Sequence, residues 1–207
     1  MKFRRLLLVT ALLAASQPAF VRADQLIQIP TADRVREAKG EYLHRPQGSG
    51  EGYGTLLLPV GSAYELMFRY YNDLDFSHNL EGGIQFQLLP DGIVTPGFSV
   101  GMWDVTNSSP WGRRAYAVIT KSLEQGQLGI PPPLERVQLT FGVGTGRFGG
   151  LLAGIRVDLP ARFSLVAEYD SRRLNAALWF SPFKPLTLKA ELQNSNPFFG
   201  GDLRVRF

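Results

Sequence analysis

The stretch from Phe199 to Phe207 constrains this chain more than any other. Counting back from the last residue, Phe207, Val205, Leu203, Gly201 and Phe199 share one face of an extended strand. Gly200, Asp202, Arg204 and Arg206 share the other. A strand that is apolar on one face, charged on the other and closed by an aromatic ring suits the wall of a transmembrane β-barrel. The outward row meets lipid, the inward row meets a wet lumen, and the last ring sits at the interface. The segment favours the barrel, but one alternating strand also fits the edge of a soluble sandwich, so the decision falls to the rest of the chain.

The opposite end reads as an export signal. Lys2, Arg4 and Arg5 make a basic start, Leu6 to Ala15 an apolar run, and Val21-Arg22-Ala23 a cleavage site with small residues at its −3 and −1 positions. The run is far short of the roughly 20 apolar residues a membrane-spanning helix needs. Residues 1–23 are therefore expected to be a cleaved signal peptide, residues 24–37 a periplasmic N-terminal segment, and residues 38–207 the barrel. Without a cysteine, the mature end cannot carry a lipoprotein anchor. The same lack excludes a disulfide framework and thiolate metal sites.

Cleavage also removes the apparent basicity. The chain has 22 Lys+Arg against 18 Asp+Glu, and Lys2, Arg4, Arg5 and Arg22 leave with the signal, so the mature chain is balanced at 18 against 18. Nothing then points to a nucleic-acid partner, which would need a basic patch on the mature domain.

Beyond Asp24 no apolar stretch is long enough for a spanning helix, and Ala32 to Lys39 is the only plausible turn of helix. Short alternating segments take over. Strands are expected near 38–45, 52–60, 62–72, 78–89, 92–104, 112–122, 135–145, 150–159, 162–170, 173–181, 185–193 and 199–207. The fold class is all-β, an antiparallel transmembrane up-and-down barrel of 10–12 short strands. The wet row supplies the candidate lumen set: Glu65, Arg69, Glu81, Gln85, Arg156, Glu168, Asp170, Lys189, Glu191, Asp202, Arg204 and Arg206. If the chain ends in the periplasm, the outer connections include Asn194 to Pro197, Gly146 to Gly149, Val105 to Trp111 and Pro46 to Glu51. The longest connection, Leu123 to Leu134 with Pro131-Pro132-Pro133, falls on the inner side. It and the 24–37 segment are the places to expect contact with a periplasmic partner.

Several motifs invite other readings. Gly144 to Gly149 matches G-x-G-x-x-G, but a dinucleotide site needs a helix opening on those glycines, and Leu151 to Leu159 reads as another strand. The expectation is a glycine-rich hairpin. Asn107-Ser108-Ser109 is a glycosylation sequon only in a eukaryotic secretory setting. Trp103, Trp111, Tyr116, Tyr169 and Trp179 are expected in the aromatic girdles of a barrel rather than on a ligand platform. The only histidines are His44 and His78. A lipid hydrolase of triad type would need one of them beside a serine. Ser77 and His78 are strand neighbours that face opposite ways. No catalytic, metal or cofactor site is assigned.

Outer-membrane proteins of Gram-negative bacteria resemble this chain in their closing strand, so Leu203, Val205 and Phe207 are expected to be a sorting signal for the barrel-assembly machinery. A narrower resemblance runs over about 26–193. Leu139 to Phe148, Ala153-Gly154-Ile155, Leu165 to Asp170 and Asn175 to Leu178 look like the strand sequence of the YjbH-like family. Ile29-Pro30-Thr31-Ala32 followed by Gly40-Glu41-Tyr42 looks like its opening. Members of that family are outer-membrane barrels associated with exopolysaccharide and capsule export, and familiar ones are several times longer. The resemblance implies a short single-barrel relative in the outer membrane, with lipid, polysaccharide and periplasmic export proteins as candidate partners. It transfers no catalytic residue. An outer-membrane lipid-modifying enzyme and a soluble periplasmic β-sandwich binding protein stay open as alternatives.

Overall fold

A computed structural model describes residues 25–46, 51–72, 80–109, 112–125 and 130–206. Among these, twelve strands follow one another: β1 Ala38–His44, β2 Gly52–Val60, β3 Tyr64–Asn72, β4 Leu80–Leu89, β5 Gly97–Trp103 and β6 Arg114–Glu124. The second half continues with β7 Arg136–Gly144, β8 Gly150–Leu159, β9 Phe163–Tyr169, β10 Leu174–Phe183, β11 Leu186–Gln193 and β12 Asn196–Val205. Each pairs antiparallel with its sequence neighbours, and β12 returns to β1 with Ala38 opposite Val205 and His44 opposite Phe199. The sheet is closed, so each strand has two partners and no edge is left to template aggregation. This is the expected up-and-down barrel at the upper end of its strand count. A sandwich would need two packed sheets, and there is one.

The faces are inverted relative to a soluble protein. Leu56, Ile84, Ile119, Phe141, Leu165, Leu178, Leu188 and Leu203 lie exposed on the outside. Their strand neighbours Thr55, Gln85, Thr120, Thr140, Ser164, Trp179, Lys189 and Asp202 are buried within. Val205 is exposed outward beside Leu203, and Phe207 lies outside the described residues. Among the described residues no helix is long and apolar enough to cross a membrane.

Two elements depart from the expected bounds. β5 starts at Gly97 rather than near residue 92. The Asp91 carboxylate accepts hydrogen bonds from Lys121 Nζ (3.0 Å) and the Ser122 amide (2.8 Å), and Gly92 N–H closes a turn on the Thr95 carbonyl (2.9 Å). The segment before Pro96 is thereby folded onto β6 instead of joining the sheet. β12 starts at Asn196, earlier than expected, with Pro197 opposite Leu192 of β11. Its pairing with β1 ends at Phe199, so the proline lies where β12 has one neighbour only, the setting in which strands tolerate it. The G-x-G-x-x-G stretch forms the hairpin between β7 and β8, with a 3-10 turn at Gly146–Phe148 and no phosphate-facing helix.

The closing seam depends on a missing side chain. A Cβ on Gly200 would collide with the Tyr42 carbonyl oxygen and come within 3.0 Å of the Leu43 Cα, both backbone atoms of β1. Gly200→Ala is therefore expected to cost about 1–3 kcal/mol, the usual penalty of overpacking. The change should appear as a lower midpoint for loss of the heat-resistant folded band on gels, whereas Gly82→Ala, with nothing within 4 Å of its added carbon, should leave that midpoint in place.

Candidate functional site

The lumen is occupied by the chain itself. Residues 25–33 and 35 are buried, with Ile29 and Ala32 fully enclosed. This is the segment expected to extend into the periplasm toward a partner. Over 25–35 it instead lies within the barrel, and past exposed Arg36 it runs into β1. Its apolar side chains Leu26, Ile27, Ile29, Ala32 and Val35 form one cluster with inward-facing Leu57, Met67, Val118, Leu152, Val166 and Trp179. Burial of an extended backbone requires a partner for its donors, and the wall supplies several. Glu168 accepts from the amides of Ile27 (2.9 Å), Gln28 (2.7 Å) and Ile29 (3.1 Å). Thr120 Oγ1 takes the amide of Ala32 (2.8 Å), and Glu65 that of Val35 (2.6 Å). In return, Ser99 Oγ and Gln87 Nε2 donate to the Ala32 carbonyl (2.6 and 2.9 Å), and Gln85 Nε2 donates to that of Thr31 (3.1 Å).

Gly154 makes the space. A side chain there would collide with Leu26 Cδ1 and stand 3.1 Å from Ile29 Cδ1, which is the close backbone approach that places glycine inside a strand. Gly154→Leu is expected to push the segment off Glu168. Hydrogen exchange at the Ile27 to Ile29 amides should then rise by orders of magnitude while strand amides keep their protection.

Around this plug the charged side chains pair in groups. At the seam Lys189 bonds Glu41 and faces Asp202 (3.5 Å) and Glu191 (3.9 Å), while Lys39 meets Glu41 at 3.2 Å. The Lys189 ammonium lies 4.2 Å from the centre of the Trp179 ring, whose indole N–H donates to Glu191 (3.0 Å). A second group pairs Arg114 with Glu81 and sets Arg69 over Tyr53 (4.8 Å) and Trp103 (4.9 Å). In a third, Arg156 bonds Asp158 (2.7 Å), Ser164 joins the same carboxylate (2.6 Å), and Arg136 approaches Asp33 of the plug (3.9 Å).

Ten of the twelve candidate lumen residues are buried inward: Glu65, Arg69, Glu81, Gln85, Arg156, Glu168, Asp170, Lys189, Glu191 and Asp202. Arg204 is half-buried and donates to Asp202 (3.4 Å), and Arg206 is exposed beyond the end of β12. Lys39, Glu41, Arg114, Arg136 and Asp158 belong to the same networks and were absent from the expected set. Strand parity would have found Lys39 and Glu41, since they alternate with outward Gly40 and Tyr42.

The aromatic expectation needs correction. Trp103, Tyr116 and Trp179 are inside the barrel rather than in an outer girdle. Each has a polar task there, as a platform under a cation or, for Tyr116, as donor to Gln85 (2.8 Å). Tyr169 is exposed on the outside, and Trp111 lies outside the described residues. His44 ends β1 on the face opposite buried Leu43, and His78 also lies outside the described residues. Among the described residues no group of three His, Asp or Glu side chains could hold a metal ion. Ser108 and Ser109 of the sequon turn inward onto Asp104, which accepts from both amides (2.7 and 2.8 Å).

Above the plug, at the rim formed by the β1–β2, β7–β8, β9–β10 and β11–β12 connections, the lumen opens into a vestibule of about 360 Å³. Gln28 of the plug, Tyr53, Asn175 and Gln193 are its buried floor, and Gln193 Nε2 and Gln28 Nε2 both donate to the Tyr53 hydroxyl (2.7 and 3.3 Å). Tyr71 and Phe198 flank Tyr53, with ring centres 6.1 Å from it on either side. Arg147, Arg172 and Arg173 line the vestibule as well. Burial foremost, and then the positive charges of Arg114 and Arg69, holds the Arg147 guanidinium below the ordinary arginine range, against the opposing pull of Tyr71 and Asp170.

Comparison with protein-family models, with curated proteins and with solved structures gives no match to this chain.

Proposed function

We propose that this chain is an outer-membrane β-barrel that serves exopolysaccharide biosynthesis or export as a sealed component or scaffold, not as an open pore. The inversion of its faces carries the membrane part of the reading. A sheet closed on itself satisfies its own backbone, as a bilayer demands, while its outer rows are apolar and its charges face inward. Such a surface is costly in water and favourable in lipid. The plug carries the sealed part, because residues 25–35 take up space that a passage would need. The export signal over residues 1–23 and the closing strand are consistent with the outer membrane. The polysaccharide role rests on the YjbH-like resemblance.

Fractionation tests the location. The mature chain should be recovered from envelopes only with detergent and should migrate faster unboiled than boiled; recovery in the soluble periplasm sinks the reading. Leu178→Arg, near the middle of β10 on the outer face, is expected to destabilise the inserted barrel by about 2–4 kcal/mol. The polysaccharide role predicts a changed amount or length of surface glycan when the gene is deleted. An unchanged glycan would leave a membrane barrel with another task.

A further inference from the structure

We propose that the vestibule binds one unit of an anionic saccharide, a sugar ring carrying a carboxylate or phosphate group. It deepens the reading above, on which it relies only for the side from which the ligand arrives.

The wall and floor have the mixed character a sugar requires. Tyr53, Tyr71 and Phe198 form one aromatic wall against which the C–H face of a pyranose packs, with apolar contact on one side and hydroxyls on the other. The amides of Asn175, Gln193 and Asn196 supply planar donors and acceptors at the same opening. A volume of about 360 Å³ lies at the small end of ligand pockets, enough for one or two rings. An extended polymer would have to continue past the rim, because Gln28 of the plug closes the floor.

The charge selects the anionic kind. Two of the described residues lining the vestibule, Asp170 and Glu51, are carboxylates, and both already accept hydrogen bonds. Asp170 accepts from the amides of Arg172 (3.1 Å) and Arg173 (2.8 Å), and Glu51 is bonded by Arg45 (2.7 Å). Three guanidiniums line the same opening, those of Arg172 and Arg173 on exposed positions of the β9–β10 connection. Guanidinium forks match carboxylate and phosphate oxygens with two parallel hydrogen bonds. A neutral sugar offers the exposed Arg172 and Arg173 no such partner.

The experiment titrates refolded residues 24–207 in a neutral detergent, by calorimetry, with four probes. These are a trigalacturonate, the matching neutral galactose trimer, a bisphosphorylated glucosamine disaccharide and a triglutamate peptide. Tighter binding of the trigalacturonate or the phosphorylated disaccharide than of the neutral trimer is expected, the preferred one telling a glycan polymer from a lipid headgroup as the source. The double variant Arg172→Gln/Arg173→Gln should weaken that binding by about tenfold or more, and Tyr71→Ala should weaken the neutral and charged sugars alike. Arg172 and Arg173 lie on the exposed β9–β10 connection, and retained heat-modifiable migration shows that the barrel has folded. Equal binding of triglutamate, equal binding of the neutral trimer, or no binding at all overturns the proposal. Each of those failures leaves outer-membrane fractionation untouched. Saccharide binding by a chain found soluble would overturn the location and keep the site.

Discussion

Deleting residues 24–37 should turn a silent barrel into a conducting one. The comparison is between refolded residues 24–207 and 38–207 in planar bilayers. The longer chain is expected to show no stable conductance, because Leu26, Ile27, Ile29, Ala32 and Val35 are buried in one cluster with the inward apolar side chains. The shorter chain keeps all twelve strands, since β1 begins at Ala38. Its lumen loses the filling of residues 25–35 and gains the plug-facing oxygens of Glu168, Glu65 and Thr120, groups that water readily solvates once their backbone partners are gone. Barrels of eight strands are filled by their own side chains, and those of sixteen or more leave a channel. A twelve-stranded barrel lies between, so the filling segment decides. Steps that appear in both chains, or in neither, would show that the plug is not what seals the lumen. A graded version uses Glu168→Ala, which removes the acceptor for three consecutive amides. It should produce brief openings rather than a steady current.

The second large effect concerns Lys189. Its ammonium sits among Glu41, Glu191 and Asp202 and against the Trp179 ring, almost out of reach of water. Lys189→Met keeps most of the side-chain volume and removes the charge. Three carboxylates then share what Lys39 and Arg204 can offer. Removing one member of a buried ionic group costs about 3–5 kcal/mol because the partners are left uncompensated. Unfolding in urea, followed by tryptophan emission, should show a loss of that size. Adding Glu41→Gln to Lys189→Met should recover part of it, since one of the stranded charges is then gone. A loss under about 1 kcal/mol, typical of an exposed pair, would mean that water reaches this cluster and the lumen is less dry than its packing implies.

Period-two patterning made the wall legible, because each residue of a strand must take one of two faces. Leu186, Leu188, Ala190 and Leu192 against Thr187, Lys189, Glu191 and Gln193 could be sorted without a structure, and β11 follows that sorting. The plug was harder to see. Gln25 to Thr31 has neither a helical nor a strand period, because its conformation is dictated by wall groups far along the chain, such as Glu168, 141 residues from Ile27. A trace of it was nevertheless present. Val118, Leu152, Val166 and Ala177 fall on rows that ought to be wet, and an apolar residue on a wet row asks for an apolar partner inside. Trp103 and Trp179 carry the same message. Both alternate with outward neighbours, so parity places them inward, and their usual preference for membrane interfaces is overridden by the cations they support. The vestibule is beyond such reasoning, since it assembles from four connections whose meeting depends on the closure of the sheet.

The contact between Ile27 and Glu168 also dictates an order of events. The segment is the first part of the described chain to be made, and its main acceptor lies 141 residues later. Until β9 exists, the apolar side chains of Leu26, Ile27 and Ile29 have no wall to cover them, and contacts so distant along the chain form late. The chain must therefore keep its own leading end unsatisfied while the staves are set, and then close β12 against β1 with that end already inside. Threading it afterwards would drag unpaired amides through an apolar constriction. The filling of the lumen and the closing of the wall are thus a single step of assembly, and a barrel that closes too early would be left with its stopper outside.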